Sequence, residues 1–319
     1  MPADGERSAA GETAAGQLTR AVVIGGNGAV GQLFTERLAA AGLDVASVDI
    51  APAPRAPIAG VRRIAGDVAR PLPPVMSEVA AADLVVLALP EKAVLAAVGP
   101  LAAAMRTGAV LADTTSVKGA VVDRTLSALR EAADRGGEIE AVSLNPMYAP
   151  SLDPRGRPIA TVRLKDGPGV RALLGLMESW GARIVPVGAR EHDRLMAAAQ
   201  VATHSAVLAF GLALRELGVG VAELSALAPP PHTALLALLA RITSAAPEVY
   251  WDIQTGSPDA EPARAAVKNG VASLSALAND GDEAGFATAL AELHAYLGAD
   301  APRLADLCAD MFQGLSRPE

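Results

Sequence analysis

A short β-branched run at 21–24 leads directly into Gly26-Asn27-Gly28-Ala29-Val30-Gly31, and a helical pattern with Leu33, Phe34 and Leu38 on one face follows. No other stretch restricts the fold so tightly. A G-x-G-x-x-G triplet is weak alone, but here it stands between a strand and a helix, and 45–50 alternates as a second strand after Gly42. Each glycine then has a task. Gly26 permits the tight turn, Gly28 lets the backbone approach a pyrophosphate, and Gly31 lets helix and strand pack closely. The helix N-terminus offers N–H groups and a positive dipole end to the phosphates. Asp49 closes the second strand; an acid there accepts hydrogen bonds from a ribose 2′-OH and repels a 2′-phosphate, which favours NAD over NADP. Arg55 stands nearby and would reach a phosphate if its loop folded back. A tight turn without a ligand, or another adenine cofactor, are the competing readings.

The same alternation continues. An apolar run at 83–89 (DLVVLAL) suits a strand buried on both faces, and it delivers Leu89 and Pro90 to the cofactor crevice. A helix is predicted over 92–105 and a strand over 109–112, ending in Asp113-Thr114-Thr115-Ser116-Val117-Lys118. A strand at 139–144 runs into Asn145-Pro146-Met147-Tyr148, and one at 183–187 is the last. Pro-rich stretches at 52–57 and 71–74 read as surface loops. These alternating elements predict an α/β fold, a doubly wound Rossmann-type parallel sheet over 20–188. Beyond Gly188 the character changes. Residues 191–217 form one long helical pattern with few polar positions in its middle, predicted to be buried on most sides, as at a dimer interface. Pro229-Pro230-Pro231 breaks the next segment, and helices are predicted over 233–244, 262–278, 281–297 and 301–315. Residues 189–319 are therefore an all-helical domain for substrate binding and dimerisation, and 1–19 a disordered tail without a signal peptide's apolar region.

Composition closes several doors. With 27 basic and 35 acidic residues the net charge is −8, which argues against a nucleic-acid surface. Cys308 is the only cysteine, so no intramolecular disulfide or multi-thiolate zinc site forms, as suits a reducing compartment. His192, His232 and His294 are scattered without ligand spacing, and no metal is expected. The longest apolar stretch, 205–214, is about half of a membrane span, which points to a cytoplasmic protein without membrane contact.

Several of these blocks, in this order, resemble the prephenate dehydrogenases: the glycine fingerprint, Asp113–Lys118, Asn145-Pro146-Met147, Glu191-His192-Asp193 with Gln200, Thr203 and His204, and Arg241 followed by Tyr250. The resemblance implies NAD-dependent oxidation of a small anionic cyclohexadienyl substrate as CO₂ leaves, by a homodimer joined through helical domains. It implies that Ser116 hydrogen-bonds the ring substituent near the nicotinamide and that Arg241 receives a carboxylate through its planar fork. Asp193 pairs near the site entrance, His204 lines the pocket, Tyr250 lies near the substrate side chain, and Met147 and Lys118 also contact substrate. From the residues alone, blander readings stand beside these. Ser116 and Lys118 suit a helix N-cap and a surface charge, His204 a packed core histidine, and Tyr250 with Trp251 ordinary packing. Arg241, within LLALLARIT, reads as a buried arginine that needs an anionic partner.

One position departs from the family. Its loop reads His-Pro-Met, the histidine taking the proton of a ring hydroxyl as hydride leaves; here Asn145 stands in its place. Asparagine cannot accept a proton near neutral pH, and losing a positioned base typically costs about 10²–10⁴-fold. A ring amine removes the need, because its lone pair expels hydride directly to give an iminium. The resemblance therefore implies 4-amino-4-deoxyprephenate, converted to 4-aminophenylpyruvate, with Ser116 and Asn145 as catalytic residues. The alternatives are a prephenate or arogenate dehydrogenase whose base is His204 or a water, and a catalytically silent NAD-binding regulator. Asn145 also suits a plain turn before proline.

Overall fold

The computed structural model describes residues 18–51, 57–68, 70 and 73–315. The predicted tail falls, except for Leu18 and Thr19, outside the described residues, as do Arg55 and most of the two Pro-rich stretches. The chain divides into two compact units, Met1–Asp193 and Arg194–Glu319.

The first unit alternates strands and helices: β1 (Arg20–Ile24), α1 (Ala29–Ala40), β2 (Asp44–Asp49), β3 (Arg62–Ala65), α2 (Pro73–Ala81), β4 (Leu84–Leu87), α3 (Glu91–Ala104), β5 (Val110–Asp113), α4 (Gly119–Ala133), β6 (Glu140–Pro146), β7 (Pro158–Lys165), α5 (Pro168–Ser179), β8 (Arg183–Pro186) and the start of α6 (Ala189–Met196), which crosses the boundary. Among the described residues the strands form one sheet in the order β3-β2-β1-β4-β5-β6-β7-β8. Side chains alternate across it. Val22, Ile24, Val85 and Leu87 face a core with Val98 and Leu101 of α3, while Val23, Leu84 and Val86 face Phe34 and Leu38 of α1 and Met177 of α5. Order reverses beside β1, so the ends of β1 and β4 flank a topological switch point.

The sheet is parallel except at one pair. β7 runs antiparallel to β6, with Asn145 opposite Ala160. The link between them, 147–157, contains no helix and is too short for a parallel crossover. Asn145 is consequently inside a strand and not in a turn.

In the second unit a π-helical segment, Ala197–Ala202, continues α6 into α7 (Thr203–Leu217), followed by α8 (Val221–Ser225), α9 (Pro230–Thr243), α10 (Pro247–Thr255), α11 (Ala260–Asp280), α12 (Glu283–Leu297) and α13 (Ala301–Leu315). The three prolines open α9, with Pro230 in its first turn, where no N–H is needed. The helical run Ala189–Leu217 is long and apolar enough, by length and composition only, to cross a membrane, so the apolar stretch at 205–214 understates it. It is also not buried as its sequence predicts: in the single chain only 17% of its most apolar window is covered.

Candidate active site

The loop after β1 is shaped by contacts that exclude side chains. Gly25, not Gly26, takes the left-handed turn (φ +81°), and a Cβ there would overlap the Ala88 carbonyl oxygen beyond β4. Gly26 is glycine for another reason: a Cβ would collide with Ser47 Oγ on β2. At Gly31 a Cβ would lie 2.8 Å from Gly26 Cα, so the start of α1 rests directly on the loop. The first bond of α1 runs from Gln32 N–H to the Gly28 carbonyl (2.8 Å). The N–H groups of Ala29, Val30 and Gly31 precede it and have no carbonyl of the helix to bond.

Asp49 accepts the Asn27 and Ala51 N–H groups, both at 2.9 Å, one on each carboxylate oxygen. Each oxygen keeps a further lone pair for a ribose hydroxyl. Leu89 Cδ2 lies 3.0 Å from the position of a Gly25 Cβ, which puts the segment carrying Leu89 and Pro90 against the glycine loop. Helix N–H groups without a partner in the helix, a glycine-rich loop and a fixed acid fit a dinucleotide.

A second cluster lies at the ends of β5 and β6. Ser116 is partly exposed in the turn before α4, and Thr115 braces that turn: its N–H donates to Asp113 Oδ1 (3.0 Å), and its hydroxyl lies 2.6 Å from the same oxygen and 3.0 Å from the Val117 carbonyl. Lys118 is wholly buried. Its Nζ donates to the carbonyls of Thr115 and Leu144, both at 2.7 Å, and reaches Asp113 Oδ1 at 3.5 Å. Burial pushes its ammonium below the usual lysine value, opposed by the Asp113 charge. With its three N–H bonds directed at protein atoms, Lys118 is neither the surface charge nor the substrate contact that the sequence suggests. It ties the Ser116 turn to the end of β6.

Asn145 is 3% exposed, and its Nδ2 lies 3.0 Å from Nε2 of His192, itself 1% exposed. His192 Nδ1 lies 2.9 Å from Asp193 Oδ1. The Asp193 carboxylate also accepts the N–H groups of Lys118 and Gly119, both at 2.8 Å, at the start of α4. Burial alone would raise the Asp193 carboxyl; the His192 bond and the two backbone bonds outweigh it and hold the group below the ordinary aspartate value. Asp193 is thus a buried anchor and not an entrance residue. His192 belongs to this cluster although its spacing in sequence gives no sign of it. Its place in the Glu191-His192-Asp193 block, on the first helix after the last strand, is the signal that could have found it. Met147 follows, partly exposed, with its N–H bonded to the Pro158 carbonyl at 3.0 Å.

Within the second unit, His204 and Tyr250 meet edge to face, ring centroids 5.0 Å apart. Burial and the Arg241 charge lower the His204 imidazole below its usual value, so it stays neutral near pH 7. Its Nδ1 is buried without a partner among the described residues. Arg241, read from its apolar surroundings as buried, is exposed, because α9 turns that face outward. Among the described residues no carboxylate pairs with it, and none gathers with others into a three-residue metal site.

Residues 188–292 match the family model described as prephenate dehydrogenase, dimerization domain. Over 296 residues the chain is 53% identical to 4-amino-4-deoxyprephenate dehydrogenase of Streptomyces pristinaespiralis, covering 93% of this chain and 97% of that protein. The chain belongs to the prephenate dehydrogenase family. Two solved members have the same fold: prephenate dehydrogenase from A. aeolicus in complex with hydroxyphenyl propionate and NAD⁺ (TM-score 0.67, 17% identity, 88% of this chain and 97% of that one), and Synechocystis arogenate dehydrogenase (TM-score 0.58, 14% identity, 90% and 100%). As a prephenate dehydrogenase relative, this chain has an oxidoreductase scaffold in which a buried amide occupies the place where the family resemblance puts a basic imidazole.

Proposed function

We propose that this protein oxidises 4-amino-4-deoxyprephenate to 4-aminophenylpyruvate and CO₂ with NAD⁺. Asn145 carries the reading: a buried amide at the end of β6, unable to take a proton, in the family's histidine position. His192 does not replace the missing base, because its Nε2 is engaged by that amide. His204 is a weakened proton acceptor for the reason given above. The name and 53% identity of the Streptomyces relative support the same substrate.

Bound NAD⁺ supplies the hydride acceptor. The hydride leaves ring C4 as the neutral amine's lone pair moves into the C–N bond. The electrons of the C1–carboxylate bond then enter the ring as CO₂ departs. The nitrogen keeps its N–H protons through the iminium and into the aromatic amine, so with a neutral amine the hydride step needs no protein base. Asn145 Oδ1 accepts an amine N–H, Ser116 offers its hydroxyl to the same substituent, and Arg241 receives a carboxylate. Asp49 and the N–H groups of Ala29, Val30 and Gly31 hold the dinucleotide, with Leu89 and Pro90 beside them. NADH formation is to be compared with 4-amino-4-deoxyprephenate, prephenate and arogenate side by side. The amine is expected to turn over fastest; faster turnover of prephenate refutes the reading, and no reduction with any of the three favours a silent NAD-binding regulator.

The helical unit is proposed to form a homodimer. Leu217, Leu290, Leu293, Tyr296, Leu307 and Met311 are exposed in the single chain, and the apolar run Ala189–Leu217 is largely uncovered. A second copy of the unit would bury this surface, in keeping with a dimerization domain matched over 188–292. We place the enzyme in the cytoplasm, where the exposed thiol of Cys308 stays reduced.

A further inference from the structure

We propose that the His192–Asp193 pair sets the direction of the Asn145 amide, and that this direction makes the site an acceptor for the substrate's amine. The second half rests on the substrate reading above; the first stands on geometry alone.

Asp193 is the fixed end of the relay. Its carboxylate is held by two backbone N–H groups of the α4 start, each at 2.8 Å, so neither the side chain nor its charge can turn away. An ionised carboxylate only accepts hydrogen bonds, and therefore the His192 Nδ1 facing it at 2.9 Å carries the proton. In the neutral ring Nε2 is then a lone pair. The group it meets at 3.0 Å must donate, and the donor of an asparagine is its NH₂. The amide nitrogen is thereby committed to His192, and Oδ1 is the atom left to face other partners. Reversal would place two acceptors against each other in a site where both side chains are almost wholly buried.

The neighbouring bonds keep the relay in register. Lys118 Nζ holds the Leu144 carbonyl, the peptide immediately before Asn145. Pairing with Ala160 across β7 fixes the strand on its other side. The amide therefore has one orientation without a protein-wide rearrangement, and its specificity follows. A carbonyl oxygen attracts the N–H of an amine, and the attraction grows as positive charge develops on that nitrogen during hydride loss. An amide turned the other way would present N–H to N–H.

Two experiments test this. In ¹⁵N-histidine-labelled protein, a long-range ¹H–¹⁵N correlation spectrum, with His192 assigned by its loss in His192→Gln, is expected to show a protonated Nδ1 and an unprotonated Nε2. An imidazolium, or the opposite tautomer, overturns the amide direction whatever the substrate. In kinetics, His192→Leu removes the acceptor, and kcat for the amine substrate is expected to fall about 10- to 100-fold with little change in KM or NADH binding. His192→Gln, whose side-chain oxygen can accept the same NH₂, is expected to recover most of that loss. Equal loss for amine and prephenate, or no recovery with glutamine, identifies a merely structural role and overturns the proposal. If the wild type prefers prephenate, the substrate reading and the amine half fail together, and the spectrum still decides the amide's direction.

Discussion

Replacing Asn145 by histidine is expected to move the enzyme towards prephenate. At 145 the new ring can donate one N–H to His192 Nε2, the contact now made at 3.0 Å by the amide. Its other nitrogen is then a lone pair in the place where Oδ1 stands. A positioned base is typically worth about 10²–10⁴-fold, so kcat/KM for prephenate should rise by up to that factor. Turnover of the amine should fall, because an imidazole that has taken a proton repels a cationic nitrogen. The ring is larger than the amide in a position only 3% exposed, and overpacking of this kind costs about 1–3 kcal/mol of stability. Typical domains have about 5–15 kcal/mol, so the variant should remain folded. Initial rates of NADH formation with both substrates, together with a denaturant melt, give the answer. A folded variant with an unchanged prephenate-to-amine ratio would refute the idea that this residue chooses the substrate.

Arg241→Ala should raise KM for substrate by 10-fold or more, on the order of one charged hydrogen bond, with NADH binding unchanged; an unaltered KM would remove Arg241 from the site. Lys118→Met should cost about 3–5 kcal/mol in urea unfolding, since it leaves the Thr115 and Leu144 carbonyls buried without their donor and the buried Asp113 without its counter-charge. Asp83 gives an acid-pH signature. Burial alone would raise its carboxyl, but bonds from Thr19, Arg20 and Arg106 lower it to about 2. A depressed folded-state value means stability that is complete above the unfolded value of 3.8 and is lost as pH falls towards 2, about 2 kcal/mol in all. Wild type should therefore lose more stability than Asp83→Asn between those pH values, and parallel curves would deny the linkage. Leu293→Glu, on the uncovered face of α12, should convert a dimer into monomer by sedimentation, and a dimer unaffected by it would put the interface elsewhere.

Local pattern made much of the fold legible. The β1–α1–β2 unit follows from alternation, spacing and glycine, all of which act within a few residues. The last two helices, read at 281–297 and 301–315, are α12 (Glu283–Leu297) and α13 (Ala301–Leu315), because their apolar period is unbroken. What escaped was non-local. β3 has two arginines in four residues and becomes a strand only through pairing with β2. The direction of β7 was set by the length of its link to β6, and burial of Arg241 was inferred from an apolar run in which only Ile242 is buried while Leu235 and Leu238 are exposed. Gly25 escaped because the fingerprint names Gly26, while the collision that demands glycine comes from Ala88, just past the end of β4.

By itself the sequence determined a dinucleotide-binding βαβ start, a helical second half, the family, and the asparagine in a position where its relatives suggest a histidine. These depend on residue identity and short-range spacing, which survive translation into one dimension. Only the tertiary structure decided what Asn145 touches. It placed Asp193 on the start of α4, turned His192 towards β6, and sank Lys118 beneath both loops. Such groups lie 26 to 75 residues apart along the chain. Their protons and lone pairs acquire direction only when burial removes water as an alternative partner.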